Sequence, residues 1–246
     1  MHLVLIACGV LDREFQALLA RTAHPVDARF LDQGLHARPV ALRRALQAEI
    51  DRIDAARDAG AAAYDAIVLG IGLCGNGIVG LRSAHHRLVV PRAHDCFTLL
   101  LGCRHRYRQC TAARPGTFWA SRGWVEHGAM PDEAHLLRRY HDATARFGPE
   151  PAAYLLQLER DALARLEHCT FIAWRGAATA SGAPDAGACA RAARTAAGRG
   201  WSFDALPGDA TLLTDLLAGG WDERFLTVPP GATITPTYDD GVVAAS

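Results

Sequence analysis

Ala66-Ile67-Val68-Leu69-Gly70-Ile71, followed at once by Gly72-Leu73-Cys74-Gly75-Asn76-Gly77, is the stretch that decides the fold. An unbroken apolar run of this length reads as a strand buried on both faces of a sheet, and the glycines let the chain turn sharply at its end. Leu3 to Ala7, ending at Cys8-Gly9, repeats the pattern near the N-terminus, and Leu88-Val89-Val90 repeats it before Pro91-Arg92-Ala93-His94-Asp95-Cys96. A weaker strand is expected over Val26 to Leu31. Between these runs lie segments with helical spacing: Phe15, Leu18 and Leu19, then Arg38 to Ala56, where Leu42, Leu46, Ile50 and Ile53 mark one face and Pro39 suits the first turn. A short helical piece is expected to about Leu81. Strands alternating with helices imply a mostly parallel sheet flanked by helices, a doubly wound, Rossmann-like α/β architecture.

The middle of the chain departs from this rhythm. Thr117 to Val125, with Trp119 and Trp124, reads as an extended aromatic segment, either a pocket wall or a packed core strand. Two helices are expected at about Asp132–Phe147 and Pro151–Glu167, separated at Gly148-Pro149. The βα rhythm then returns: strand Thr170–Trp174, helix Asp185–Ala197, strand Ser202–Leu206, helix Ala210–Leu217 and strand Phe225–Val228 before Pro229-Pro230-Gly231. Gly176–Gly187, rich in glycine and alanine, reads as a loop. The sequence favours one α/β domain over 1–246. Its alternative is two βα halves, 1–115 and 165–246, joined by a helical segment 116–164, facing each other across a cleft or sharing one sheet.

Charge excludes several function classes. The 26 basic and 26 acidic residues cancel, so there is no basic footprint for nucleic acid or an anionic membrane surface. Every basic residue besides histidine is arginine, which excludes a lysine Schiff base or a lysine general base. No apolar run reaches the roughly 18 residues of a membrane span, and Met1 to Cys8 lacks the basic start of a signal peptide. A cytoplasmic location is the expectation. Seven cysteines, an odd number, do not read as a disulfide framework.

In open parallel sheets, ligands bind beyond the carboxyl ends of the strands. Cys8, Cys74 and Cys96 each follow such an end closely, and three soft thiols converging there suit zinc or an iron–sulfur centre. His94 adds a nitrogen ligand. Asp95 would orient a ligand or act as base, and Arg92 would hold an anionic group of a small-molecule substrate. His36, in Gln33-Gly34-Leu35-His36-Ala37-Arg38-Pro39, follows the second strand and would reach the same rim as an alternate metal ligand or a catalytic group. Gly72, Gly75, Asn76 and Gly77 would cradle an anionic cofactor group, or simply bring the backbone close to a ligand at Cys74. Free cysteines also commonly serve as packing, and that is the reading for Cys103, Cys110, Cys169 and Cys189.

Taken in order, Ala7-Cys8-Gly9-Val10-Leu11, Gly34 to Pro39, Gly72 to Gly77, Pro91 to Cys96, Gly200-Trp201, Gly208-Asp209 and Phe225 to Gly231 resemble the family called domain of unknown function 1638. The family has no settled activity. The resemblance implies association with corrinoid-dependent methyl-transfer proteins, which agrees with a thiolate-held metal. The function expected is therefore a metal-dependent enzyme binding Zn²⁺, or alternatively a [4Fe–4S] cluster, through Cys8, Cys74, Cys96 and His94, with methyl transfer in one-carbon metabolism as the reaction class. The alternative is a non-catalytic carrier of a metal, cluster or corrinoid.

Overall fold

The computed structural model describes residues 1–61, 63–127, 130–174, 185–237 and 239–246, and the chain divides into two compact units. The first comprises Met1–Tyr107 and Gly208–Ser246; the second is drawn from residues 108–207.

The first unit opens with β1 (Leu3–Cys8), α1 (Asp12–Leu19), β2 (Val26–Leu31), α2 (Pro39–Asp58), β3 (Ala66–Gly70), β4 (Leu88–Pro91) and α3 (Cys96–Leu100). Helix α4 (Arg104–Ala113) leads from it into the second unit, which holds β5 (Thr117–Ser121), α5 (Arg122–Glu126), α6 (Glu133–Phe147), α7 (Pro149–Ala164), β6 (His168–Ala173), α8 (Ala186–Gly198) and β7 (Ser202–Pro207). The chain then returns to the first unit with α9 (Thr211–Ala218), β8 (Phe225–Val228), β9 (Ile234–Pro236) and β10 (Val243–Ala245).

The fold is α/β. Five strands form one sheet in the order β2-β1-β3-β4-β8, parallel except for β8, which runs antiparallel to β4. Every residue of β1, β3 and β4 is buried, as their unbroken apolar runs require. Gly70 closes β3 because a Cβ there would lie 2.6 Å from the Phe15 ring and 2.8 Å from Ala7 Cβ, so the fully buried Phe15 seats only over a glycine. Helix α2 buries Leu42, Leu46, Ile50 and Ile53, and α9 packs against α1, β3 and β4. A buried clamp holds the loop before β4: Asp54 Oδ1 accepts from Ser83 Oγ and sits 2.7 Å from His86 Nδ1, while Oδ2 accepts from the Ala84 N–H.

The second unit has its own three-stranded parallel sheet, β5-β6-β7. Its core gathers Leu136, Leu163, Cys169, Phe171, Ala192, Ala196 and Trp201. The strands therefore do not group into the halves 1–115 and 165–246: β6 and β7 pair with β5, while β8 joins the first sheet. Apolar pattern alone does not choose a strand's partner.

Two local expectations are corrected. Residues 74–80 form turns instead of a helix, because Cys74, Gly75 and Asn76 all take positive φ. The aromatic segment is extended only to Ser121, whose hydroxyl accepts from Trp124 N–H and starts α5. Most of the expected Gly176–Gly187 loop lies outside the described residues, and Ala186 and Gly187 open α8. Among the described residues no helix is long and apolar enough to cross a membrane.

Candidate functional site: a thiol–imidazole pair at the carboxyl edge

Register aligns the strand ends of the first sheet. Cys8 pairs with Leu31, Ala7 with Gly70, and Val68 with Val89, which brings Gly70 level with Pro91. The loops that follow these residues therefore leave one edge of the sheet together.

After β1 the chain turns at once into a short 3-10 helix, Gly9–Leu11, leaving Cys8 buried. After β2, Asp32 accepts from Gly34 N–H at 2.7 Å and caps a second 3-10 helix, Gln33–Ala37. That turn carries His36 back over β1, and His36 Nε2 lies 2.7 Å from Cys8 Sγ.

After β3 and β4 the two loops are laced together. Leu73 N–H donates to Ala93 O at 2.8 Å, and Cys74 N–H donates to His94 O at 2.9 Å. Gly72 is required by this lacing, since a Cβ would fall 2.7 Å from Asp95 N and 2.8 Å from its Cα. Cys74 takes φ 45°, a conformation that a non-glycine residue adopts only when its surroundings impose it. Its thiol lies within the electrostatic reach of Cys8 and Asp95.

Asp95 caps α3. Its Oδ1 accepts from Thr98 N–H at 2.9 Å and Thr98 Oγ1 at 3.0 Å, and its Oδ2 accepts from the Tyr107 hydroxyl at 2.8 Å. The carboxylate is thus fixed by three donors, and its negative charge reaches His36. Tyr107 is the site residue that sequence reading missed. It lies in the arginine-rich helix α4, twelve residues after Asp95, where only the position of α4 behind the His94-Asp95-Cys96 triplet hints at it.

Burial favours the neutral forms of both thiols and of the imidazole. Burial pushes the Cys8 thiol up to about 12, opposed by the Val10 backbone N–H and reinforced by Asp32. Burial, with Cys8 and Asp95, pushes Cys74 up to about 12 as well. His36 is lowered by burial, against the pull of Asp95. Tyr107 is raised by burial and by Asp95. At neutral pH the pair is a thiol facing a neutral imidazole.

The remaining sequence candidates are placed differently. Cys96 is buried in the first turn of α3, near enough to Tyr107 for their charges to couple. His94 is exposed. Arg92 turns toward the C-terminal hairpin, where its Nη1 donates to Gly241 O at 2.8 Å and to Val243 O. Gly77 makes room for Leu42, and its N–H donates to Leu73 O; Gly75 and Asn76 are exposed in the turn. Among the described residues no two cysteines are joined in a disulfide. Among the described residues, no three Cys, His, Asp or Glu side chains stand as a ready-made metal ligand set.

The site and sheet define an α/β protein with a thiol–imidazole pair, a second thiol and a capped carboxylate at the carboxyl edge of a mostly parallel sheet. The chain belongs to the family described as "Protein of unknown function (DUF1638)", whose model matches residues 30–217. His36, Cys74, Asp95 and Tyr107 fall inside the matched segment and Cys8 precedes it. No curated protein and no solved structure matches the chain.

Proposed function

We propose that the chain is a metal-dependent enzyme whose zinc ion is held by Cys8, His36 and Cys74. The observation that carries this reading is the meeting of Cys8 and His36 from two separate strand ends at 2.7 Å, with Cys74, held at positive φ, within electrostatic reach of Cys8.

The sheet supports the place. Its order reverses between β1 and β3, and we read it as doubly wound, with the ligand at that switch point. Cys8 ends β1 and Cys74 follows β3, so the two thiols flank the reversal.

Charge supports a cation over a simple Cys–His catalytic pair. A thiol nucleophile works as thiolate, yet the charges that act on these thiols come from Asp32, Asp95 and the other cysteine, and all of them oppose ionisation. A divalent cation supplies the missing positive charge, and metal binding releases the thiol protons. Cys74 would complete the ligand set on binding, since neutral thiols have no cause to converge beforehand. The imidazole favours zinc over a cluster that needs three thiolates.

When bound, the metal would supply Lewis acidity toward a thiol, hydroxyl or carbonyl of a small-molecule substrate, methyl transfer to a thiol being one such reaction. Asp95 would hold His36 in place through its field, and Tyr107 would keep its proton beside the site.

Elemental analysis of protein purified without oxygen and without a metal-binding tag tests the proposal. About one zinc per chain is expected, lost in Cys8→Ser, His36→Ala and Cys74→Ser. About four irons and a brown colour would replace zinc by a cluster. Metal-free protein, or full zinc in all three variants, would overturn the site.

A further inference from the structure

The second unit holds a cavity of about 810 Å³, within the roughly 300–1,000 Å³ range of small-molecule sites. It lies among the start of α6, the ends of α7 and α8, and the residues leading into β7. Four arginines line it, Arg160, Arg191, Arg194 and Arg199, against two carboxylates, Asp132 and Glu133. The lining therefore carries an excess of two positive charges.

Three of the arginines are engaged. Arg160 pairs with Glu133 at 3.0 Å and Arg191 with Asp132 at 3.1 Å, while Arg199 lies 3.6 Å from Glu133 and donates to Pro131 O. Arg194 is exposed and makes no ion pair among the described residues. The partial negative charge at the end of α8 accounts for a cation such as Arg199, directly after its last turn. Arg194 lies a full turn earlier, so the helix end does not explain it. It stands three residues after Arg191, on the same helix face. Both guanidinium groups keep several N–H donors in fixed planar geometry, the form that recognises phosphate oxygens. Beside this rim is an apolar floor. Leu163 and Trp201 are nearly buried there; Trp201 stacks on Phe118 at 5.8 Å and carries the Arg199 guanidinium 5.9 Å from its ring centre.

We propose that this cavity binds an organic phosphate of nucleoside-monophosphate size. Arg194 and Arg191 hold its phosphate, and its ring lies against Leu163 and the planar Arg199 guanidinium that covers Trp201. This site is independent of the metal reading, because all its residues belong to the second unit.

Calorimetric titration of the full chain with AMP and with ribose 5-phosphate tests it, with inorganic phosphate and citrate as comparisons. At least one organic phosphate is expected to bind more tightly than inorganic phosphate. Arg194→Ala should weaken that binding by roughly tenfold or more, and Arg194→Lys, which keeps charge but loses the fork, by less. Arg146→Ala, at the exposed end of α6, should leave it unchanged. Because Arg194 is exposed, its variants should retain the wild-type circular dichroism. If neither organic phosphate binds, or if Arg194→Ala and Arg194→Lys both bind as wild type does, the proposal is overturned. Citrate binding as tightly with the same dependence on Arg194 would overturn the phosphate assignment in favour of a carboxylate.

Discussion

Cys8 and Cys169 are both buried thiols in strands of parallel sheets, one in each unit of the chain. Burial pushes each up to about 12. Cys169 lies near the start of β6, where it packs in the core of the second unit. Cys8 lies at the carboxyl end of β1, where the loop after β2 brings His36 to its sulfur. Burial therefore weakens both thiols as acids but leaves them unequal chemistry, and position along the strand makes the difference. Loops that leave the carboxyl ends of neighbouring strands meet there, so one unit assembles Cys8, His36, Cys74 and Asp95 at four neighbouring strand ends. In the second unit, among the described residues, strand ends supply structural contacts: Ser121 caps α5, and Asp185 accepts from Trp174 N–H.

The sharpest way to break this contrast is at Gly72. A methyl group there meets the backbone of Asp95 and Ala93 at 2.7–3.0 Å, and backbone cannot rotate away as a side chain can. Gly72→Ala should cost about 3 kcal/mol of stability in urea denaturation and should displace Cys74 and Asp95 together. A loss below about 0.5 kcal/mol would show that the two loops are not tightly laced.

Asp54 tests whether the same unit depends on buried polar order away from the site. Desolvation raises its carboxyl, but hydrogen bonds from Ser83, His86 and Ala84 outweigh this and hold it below the usual carboxylate range. A depressed folded value means that the stabilisation is complete above the unfolded value of about 3.9. It is lost as pH falls through the folded one. Asp54→Ala should destabilise the protein by about 2–3 kcal/mol at pH 7, with a smaller difference from wild type below about pH 3. An equal difference at both pH values would contradict an ionised Asp54 in the clamp.

A smaller effect separates the two cysteines directly. Cys169→Ala should lower stability by about 1–2 kcal/mol through the cavity it leaves and should leave metal content unchanged. Tyr107→Phe removes one hydroxyl donor to Asp95 and should cost about 1 kcal/mol. A larger loss would mean that the hydroxyl supports more than the cap.

Much of this architecture was legible in the residues. The apolar runs of β1, β3 and β4 announce strands buried on both faces, and Val26–Leu31 and Phe225–Val228 appear as strands with their expected bounds. That Cys8, Cys74 and Asp95 each end or follow a strand of the first sheet was legible, because each stands beside an apolar run and a turn. The antiparallel direction of β8 was not legible, because side-chain alternation is the same in either direction. Nor was the pairing of β6 and β7 with β5 in a separate sheet. Arg92 illustrates a subtler limit: its place beside the triplet suggested a substrate contact, but its partners lie about 150 residues away in sequence, in the C-terminal hairpin. Tyr107 was hidden for a related reason. An arginine-rich helix with no buried residue gives no signal of which side chain reaches the site.

The most direct measurement is the absorption spectrum of metal-free protein titrated with Co²⁺ in the absence of oxygen. Wild type and Cys169→Ser should both develop thiolate-to-cobalt charge-transfer absorption that saturates at about one ion per chain, while Cys8→Ser and Cys74→Ser should each lose much of it. Absorption that survives in both Cys8→Ser and Cys74→Ser, or that never appears in wild type, would contradict a metal at the carboxyl edge of the first sheet.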